Sequence, residues 1–183
     1  MTQTRAVRAR TQAGFTLIEL MVTLVVAGIL LMIAVPSFVS LTQTNRVAGE
    51  INGLSAALQY ARAEAIKEGQ PVTVCVSTTG TGCAAAATPW QSGWIVFSDA
   101  NGNQTVNTGD LVLRRQLAWT SSDTFVSADS GGNTVRAITY SRDGFAVNLA
   151  GTVTWTLSTV PSNSSARRCL TLNIIGHQQV QPC

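Results

Sequence analysis

Charge is scarce in this chain. Asp, Glu, Lys and Arg make up 11% of its 183 residues, against roughly a quarter in an ordinary soluble domain, which excludes an extended polyelectrolyte. Histidine is scarcer still. His177 stands alone, with no pair of carboxylates or nucleophile motif around it, so acid–base and nucleophilic catalysis have little to stand on. The four cysteines contain no C-x-x-C, and one histidine does not make a zinc site. The sequence therefore implies neither an enzyme nor a cofactor. There is also no Pro-, Gly- or Ser-rich linker, no internal repeat and no second long apolar run. The length allows one globular domain plus an appendage.

The formal net charge is +3, yet Arg5, Arg8 and Arg10 all fall in the first fourteen residues with no acid among them. Without that segment nine basic side chains face nine acidic ones, and attraction of the whole molecule to DNA loses its support. Next comes the main feature. From Phe15 to Leu41 the only charged residue is Glu19, and Leu20 to Val35 has none. About 20 apolar helical residues cross a bilayer, whereas a cleavable secretory signal needs only about 7 to 15. No A-x-A site follows the run, so an anchor is the better reading, with the arginines keeping the N-terminus in the cytoplasm. A carboxylate inside such a span costs about 2.5–3.5 kcal/mol unless it snorkels to the interface or is paired. Pro36 lacks the N–H that would bond the carbonyl of Met32, so a kink or local melting is expected there.

The segment Gly14-Phe15-Thr16-Leu17-Ile18-Glu19, after a basic leader and before an apolar helix, resembles the prepilin signature of type IV pilins and type II secretion pseudopilins. The resemblance covers about residues 1–41, including Pro36. It implies cleavage by prepilin peptidase between Gly14 and Phe15, N-methylation of Phe15, and a Glu19 that pairs with the N-terminal amine of a neighbouring subunit during assembly. The implied partners are that peptidase, other pilin or pseudopilin subunits, the inner membrane and the assembly platform of the machine. The implied location is the bacterial inner membrane, single-pass, with a periplasmic head.

Beyond the anchor, Val47, Ile51, Leu54, Leu58, Ala61 and Ala65 recur at four- and three-residue steps and form one face of a continuing helix. Gly69 and Pro71 supply its stop. The period then changes to two, with β-rich runs at 72–77, 94–98, 111–119, 135–141, 145–149, 152–158 and 169–175 separated by turn clusters. This predicts an α+β, pilin-like fold, a long N-terminal transmembrane α-helix packed on a small antiparallel β-sandwich head. The expected divisions are a leader at 1–14, a transmembrane and assembly helix at 15–41, its exposed continuation at 42–68 and a β head at 69–183. The run from Trp90 to Asp99, followed by Asn101 and Asn103, also looks like the head of the GspH/FimT group of minor pilins and pseudopilins.

Cys75, Cys83, Cys169 and Cys183 fit an exported domain in which disulfides persist. Of three formal pairings, proximity favours Cys75 with Cys83 and Cys169 with Cys183. Asp99, Asn101 and Asn103, with Asp110 at the twelfth position, copy part of a calcium loop. Gln104 stands where the sharp-turn glycine belongs, so an Asn/Gly turn is preferred. Some FimT-type minor pilins bind transforming DNA through a Gly-Arg-x-Arg motif near the last cysteine. Here the stretch reads Gly176-His177-Gln178-Gln179, with both arginines missing, and Gln cannot replace a guanidinium on phosphate. Arg136, Arg142, Arg167 and Arg168 remain as candidates for a basic patch. The leading expectation is a minor pilin or pseudopilin subunit that acts by assembling. A DNA-binding minor pilin is the runner-up, and a monomeric anchored binding domain the third reading.

Overall fold

A computed structural model describes residues 14–84 and 88–183. Residues 1–13, with Arg5, Arg8 and Arg10 of the expected leader, lie outside the described residues. Two units are distinguished, one ending at Val39 and the other running from Ser40 to Cys183.

The first element is helix α1, Leu17–Glu68. Thr16 precedes it, and its Oγ1 accepts the backbone N–H of Glu19 at 3.3 Å, satisfying one of the donors that a helix start leaves free. At the other end the N–H of Gly69 donates to the carbonyl of Ala65, with φ of +68° at Gly69, a conformation that suits glycine. The helix runs through Pro36 without a break. The local melting expected at Pro36 is thus absent from the described helix.

Within the second unit, the strands are β1 (Val72–Val76), β2 (Gly93–Ser98), β3 (Val112–Leu117), β4 (Thr124–Asp129), β5 (Ala137–Tyr140), β6 (Ala146–Val147), β7 (Val153–Ser158), β8 (Arg168–Leu172) and β9 (Gln178–Pro182). They form two antiparallel sheets, ordered β3-β2-β1-β5-β6 and β4-β7-β8-β9. The helical stripe Val47, Ile51, Leu54, Leu58, Ala61 and Ala65 is buried, together with Gln43 and Ala57. It shares one core with Val72, Val74, Val76 and Val96 of the first sheet and Phe125, Trp155, Leu157 and Leu170 of the second. Each large side chain fully buried in this way contributes about 1.5–3 kcal/mol relative to exposure.

Every residue of β1 is buried because both faces of its sheet are covered. Val72, Val74 and Val76 face the helix core, while Cys75 joins Ile95, Phe97 and Ala137 in a second cluster, with Cys83 and Val106 packed against it. Four tryptophans and a phenylalanine link the layers, with ring centroids 5.6 Å apart for Trp90 and Trp155 and 5.2 Å for Trp119 and Phe125.

Two strands depart from the sequence reading. In β4 only Phe125 and Ser127 are fully buried, and one apolar core residue in a polar run gives too weak a period-two signal. The other, β9, is a polar edge strand, Gln-Gln-Val-Gln-Pro, paired with β8 from Arg168↔Pro182 to Leu172↔Gln178. The runs expected at 145–149 and 169–175 are shorter than predicted. Asn148 takes φ of +61°, which ends β6, and Asn173–Gly176 turns, with the Gly176 N–H donating to the Asn173 carbonyl at 2.9 Å.

Candidate functional site

No residue from Gly14 to Thr42 is buried. Leu24, Ile29, Leu30, Leu31, Met32 and Ile33 lie on all sides of the helix and are each more than half exposed. A helix apolar all round has no water-facing side, and such a helix must be covered by lipid or by other apolar helices. Its 25 residues from Leu17 to Leu41 rise about 37 Å, more than the roughly 30 Å hydrocarbon core. Gly14 and Phe15 are exposed ahead of the helix, and a side chain at Gly14 would meet nothing within 4 Å. Glu19 occupies the third helical position after Thr16, and its backbone N–H completes the Thr16 cap.

The remaining sequence candidates lie in the head. Disulfides join Cys75 to Cys83 and Cys169 to Cys183, with Cα separations of 5.5 and 5.1 Å. The first anchors the loop after β1 to the outer face of its sheet, and the second ties the end of β9 to β8. Asp99 is fully buried, and its carboxylate accepts the Thr73 hydroxyl at 2.7 Å and the N–H groups of Asn103 and Gln104 at 3.1 and 2.9 Å. Asn101 Oδ1 accepts the Asn103 N–H, Asn103 Oδ1 the Thr105 N–H, and Asp110 Oδ2 the Asn107 N–H. These oxygens are occupied by backbone amides, and Asn101 and Asn103 each accept the N–H two residues on, as in Asx turns. Among the described residues no group of three His, Cys, Asp or Glu side chains could hold a metal ion.

The four arginines are not brought together as a patch. Arg136 donates to the carbonyl of Ala84 at 3.1 Å, and Arg168 to those of Ser165 and Arg167 at 2.8 Å. Arg142 sits in the turn between β5 and β6, next to the end of α1, whereas Arg167 follows a loop held near its middle by Asn163 and Gln43. Gln178, in the place of the DNA motif, donates to both the carbonyl and hydroxyl of Ser55 at 3.0 Å, and His177 is exposed.

Polar ties from the helix to the loops escaped the sequence reading. Arg46 binds Asp123 through two hydrogen bonds, and Glu50 Oε1 accepts the Ser121 hydroxyl at 2.7 Å. Arg62 donates to the carbonyls of Gly176 and Ile175 at 3.0 and 3.2 Å. Arg114 lies 3.6 Å from the centroid of the Tyr60 ring. Their only sequence signal is a position off the apolar stripe.

Residues 50–176 match the family described as type II transport protein GspH. The chain belongs to that family. Residues 9–35 of this GspH-family chain also match the prokaryotic N-terminal methylation motif. The chain is similar to the type IV narrow pilus major component PilA5 of Thermus thermophilus, 33% identical over 134 residues that cover 72% of this chain and 88% of the relative. Two crystal forms of the type IV minor pilin FimU of Pseudomonas aeruginosa share its fold. Their TM-scores are 0.56 and 0.51 at 18% and 19% identity, covering 79% and 75% of this chain and 92% of FimU in each case. The GspH-family chain is a pilin- or pseudopilin-type subunit whose partners are other such subunits, and its relatives are structural rather than catalytic.

Proposed function

We propose that this GspH-family chain is made as a precursor in the bacterial inner membrane, with its N-terminus cytoplasmic and its head periplasmic. Prepilin peptidase cuts between Gly14 and Phe15, the new Phe15 amine is methylated, and the assembly platform draws the subunit into a type IV pilus or type II secretion pseudopilus. The divisions are a leader at 1–14, an assembly helix at 15–41, its continuation at 42–68 and a head at 69–183. The observation that carries this reading is the wholly exposed apolar segment 15–41 with Glu19 as its single charge. In low dielectric, a carboxylate and an amine are each costly alone and tolerable when matched, so Glu19 pairs with the Phe15 amine of a neighbour and favours correct register. Pro36 supplies the weak point at which the helix loosens on assembly. The placement among minor subunits draws on the likeness to FimU and to GspH, while PilA5 is named as a major component. The dispersed arginines give the DNA-binding reading no support.

The test is assembly of the Glu19→Val variant. It should be processed and inserted at least as well as wild type, since a costly polar group has left the span. Its recovery in sheared filaments should fall, with the head folded and both disulfides formed. Undiminished incorporation would remove Glu19 from the assembly mechanism. Mass spectrometry should find methylated Phe15, and a bulky residue at Gly14, which the chain itself has room for, should leave the precursor uncut.

A further inference from the structure

The first sheet ends on one side in β3, which pairs with β2 alone. Five of its six residues are exposed. The direction of its backbone groups follows from the ladder. The Ser77 N–H, just after β1, donates to the Gly93 carbonyl, so Gly93 turns its polar groups toward β1. These groups alternate along a strand, so Trp94 and Val96 turn theirs toward β3, where they face Gln116 and Arg114. The N–H and C=O of Arg115 and Leu117 therefore point away from the sheet, where the described residues place no further strand. The Leu117 carbonyl is met by the Gln116 side-chain amide at 3.1 Å.

The other sheet edges are spent or short. β4 commits its Phe125 and Asp129 N–H groups to Gln91 Oε1 at 2.8 Å and the Asn133 carbonyl at 2.9 Å. β6 has two residues, and β9 ends in Pro182, which has no N–H. Charged side chains ordinarily blunt an edge by standing over it. Those of β3 lie on its faces instead. Arg114, level with Val96 of the helix core, sets its guanidinium 3.6 Å from the centroid of the Tyr60 ring. Arg115, level with Ile95 of the outer cluster, passes Gly80, where an added side chain would lie 3.5 Å from its Cδ. The edge is thus left open with one positive charge on each face, and residues 111–122 contain no acid.

We propose that β3 is the docking edge for an extended acidic segment of a partner protein other than this chain, added as a sixth strand with two consecutive carboxylates level with Arg114 and Arg115. Main-chain hydrogen bonds to Arg115 and Leu117 hold such a segment, and strand alternation puts one carboxylate on each face, beside one arginine each. A guanidinium stacked on a ring keeps its in-plane N–H groups for a carboxylate. A second copy does not fit, because a second β3 brings arginine against arginine, and like charges directly opposite repel. No two acidic residues are adjacent anywhere in this chain, so none of its own segments supplies the complement. The docking does not depend on how the 15–41 segment is used.

The test is fluorescence anisotropy of a labelled peptide, Thr-Val-Thr-Glu-Glu-Thr-Val-Thr, titrated with the full-length chain in detergent. It should bind saturably and about tenfold more tightly than the same peptide with Lys-Lys in place of Glu-Glu. N-methylation along the peptide backbone removes its donors and keeps its charges, and should abolish binding. Arg114→Glu combined with Arg115→Glu should reverse the preference, taking up the Lys-Lys peptide and releasing the Glu-Glu one, an outcome that misfolding cannot mimic. Absence of saturable binding, equal binding of the two peptides, or a charge-reversed variant that still prefers Glu-Glu overturns the proposal. An N-methylated peptide that binds as tightly as its parent also overturns it, by showing charge adsorption without strand addition.

Discussion

Arg46 holds Asp123 with two parallel hydrogen bonds, Nε to Oδ2 at 2.7 Å and Nη2 to Oδ1 at 2.8 Å. The pairing is unequal in burial, since the Asp123 side chain is inaccessible while that of Arg46 is 35% exposed. Asp123 Oδ1 also accepts the Val160 N–H at 3.1 Å. One carboxylate therefore ties the β3–β4 loop, the loop after β7 and the helix together. Its hydrogen bond and charge push the Arg46 guanidinium further above its ordinary value.

Removing Arg46 leaves a buried carboxylate without its counter-charge. Loss of one partner of a fully buried pair costs about 3–5 kcal/mol, and the exposure of Arg46 lowers the expectation for Arg46→Ala to about 1–3 kcal/mol. Asp123→Ala should cost at least as much, because the Val160 amide loses its acceptor too. The double variant should be less destabilised than the sum of the singles, measured by thermal unfolding of the full chain in detergent. Additive losses would mean that the two side chains act independently.

Gly93 opens β2 at φ of +102°, and a side chain there would lie 2.5 Å from the Gln116 carbonyl oxygen and 3.0 Å from the backbone of Leu117 and of Ala118, at the end of β3. Backbone in a paired strand cannot give way cheaply. Gly93→Ala should therefore destabilise the chain by about 2–4 kcal/mol. Gly49 is the contrasting case, inside α1 with nothing within 4 Å of a new side chain. Gly49→Ala should raise stability by up to about 1 kcal/mol. Equal effects of the two changes on the melting temperature would contradict this account of Gly93.

The legible parts of the sequence were those in which several neighbours repeat one signal. Val47 to Ala65 return to the same helical face six times, and all six are buried. Trp155 stands in a run with strict alternation of buried and half-buried positions, so β7 was readable. By contrast, the register of β9 depends on β8 and on Cys183, partners that its own polar residues do not announce. Asp99, Asn101 and Asn103 were legible as a cluster of oxygens, but a metal loop and an Asx turn begin from the same residues. What distinguishes them is where the amides of Asn103 and Gln104 point. Arg46 and Asp123 are 77 residues apart, and a contact at that range leaves no trace in local spacing. The whole polar network joining helix to loops shares that difficulty.

Glu50 gives the head a pH dependence of definite sign. Oε1 accepts the Ser121 hydroxyl, whereas Oε2 is buried with no hydrogen-bond partner. Desolvation first, and then the neighbouring charge of Asp123, raise the Glu50 carboxyl above its ordinary value. The Ser121 hydrogen bond and Arg46 oppose the rise without cancelling it. The folded chain thus holds the Glu50 proton more tightly than the unfolded chain, whose value stays near the ordinary 4.3 or so. Between those two values the folded state binds more protons, so this contribution to stability is full below the unfolded value and declines as pH rises through the folded one. Glu50→Gln keeps the acceptor for Ser121 and places a neutral amide where the orphaned oxygen lies. Its stability should lack this decline and should equal or exceed that of wild type at neutral pH. Melting temperatures of both full-length proteins in detergent, from about pH 4 to about pH 8, provide the comparison. The difference between them should grow toward high pH, and parallel curves across that range would show that Glu50 is no more protonated in the folded head than in the unfolded chain.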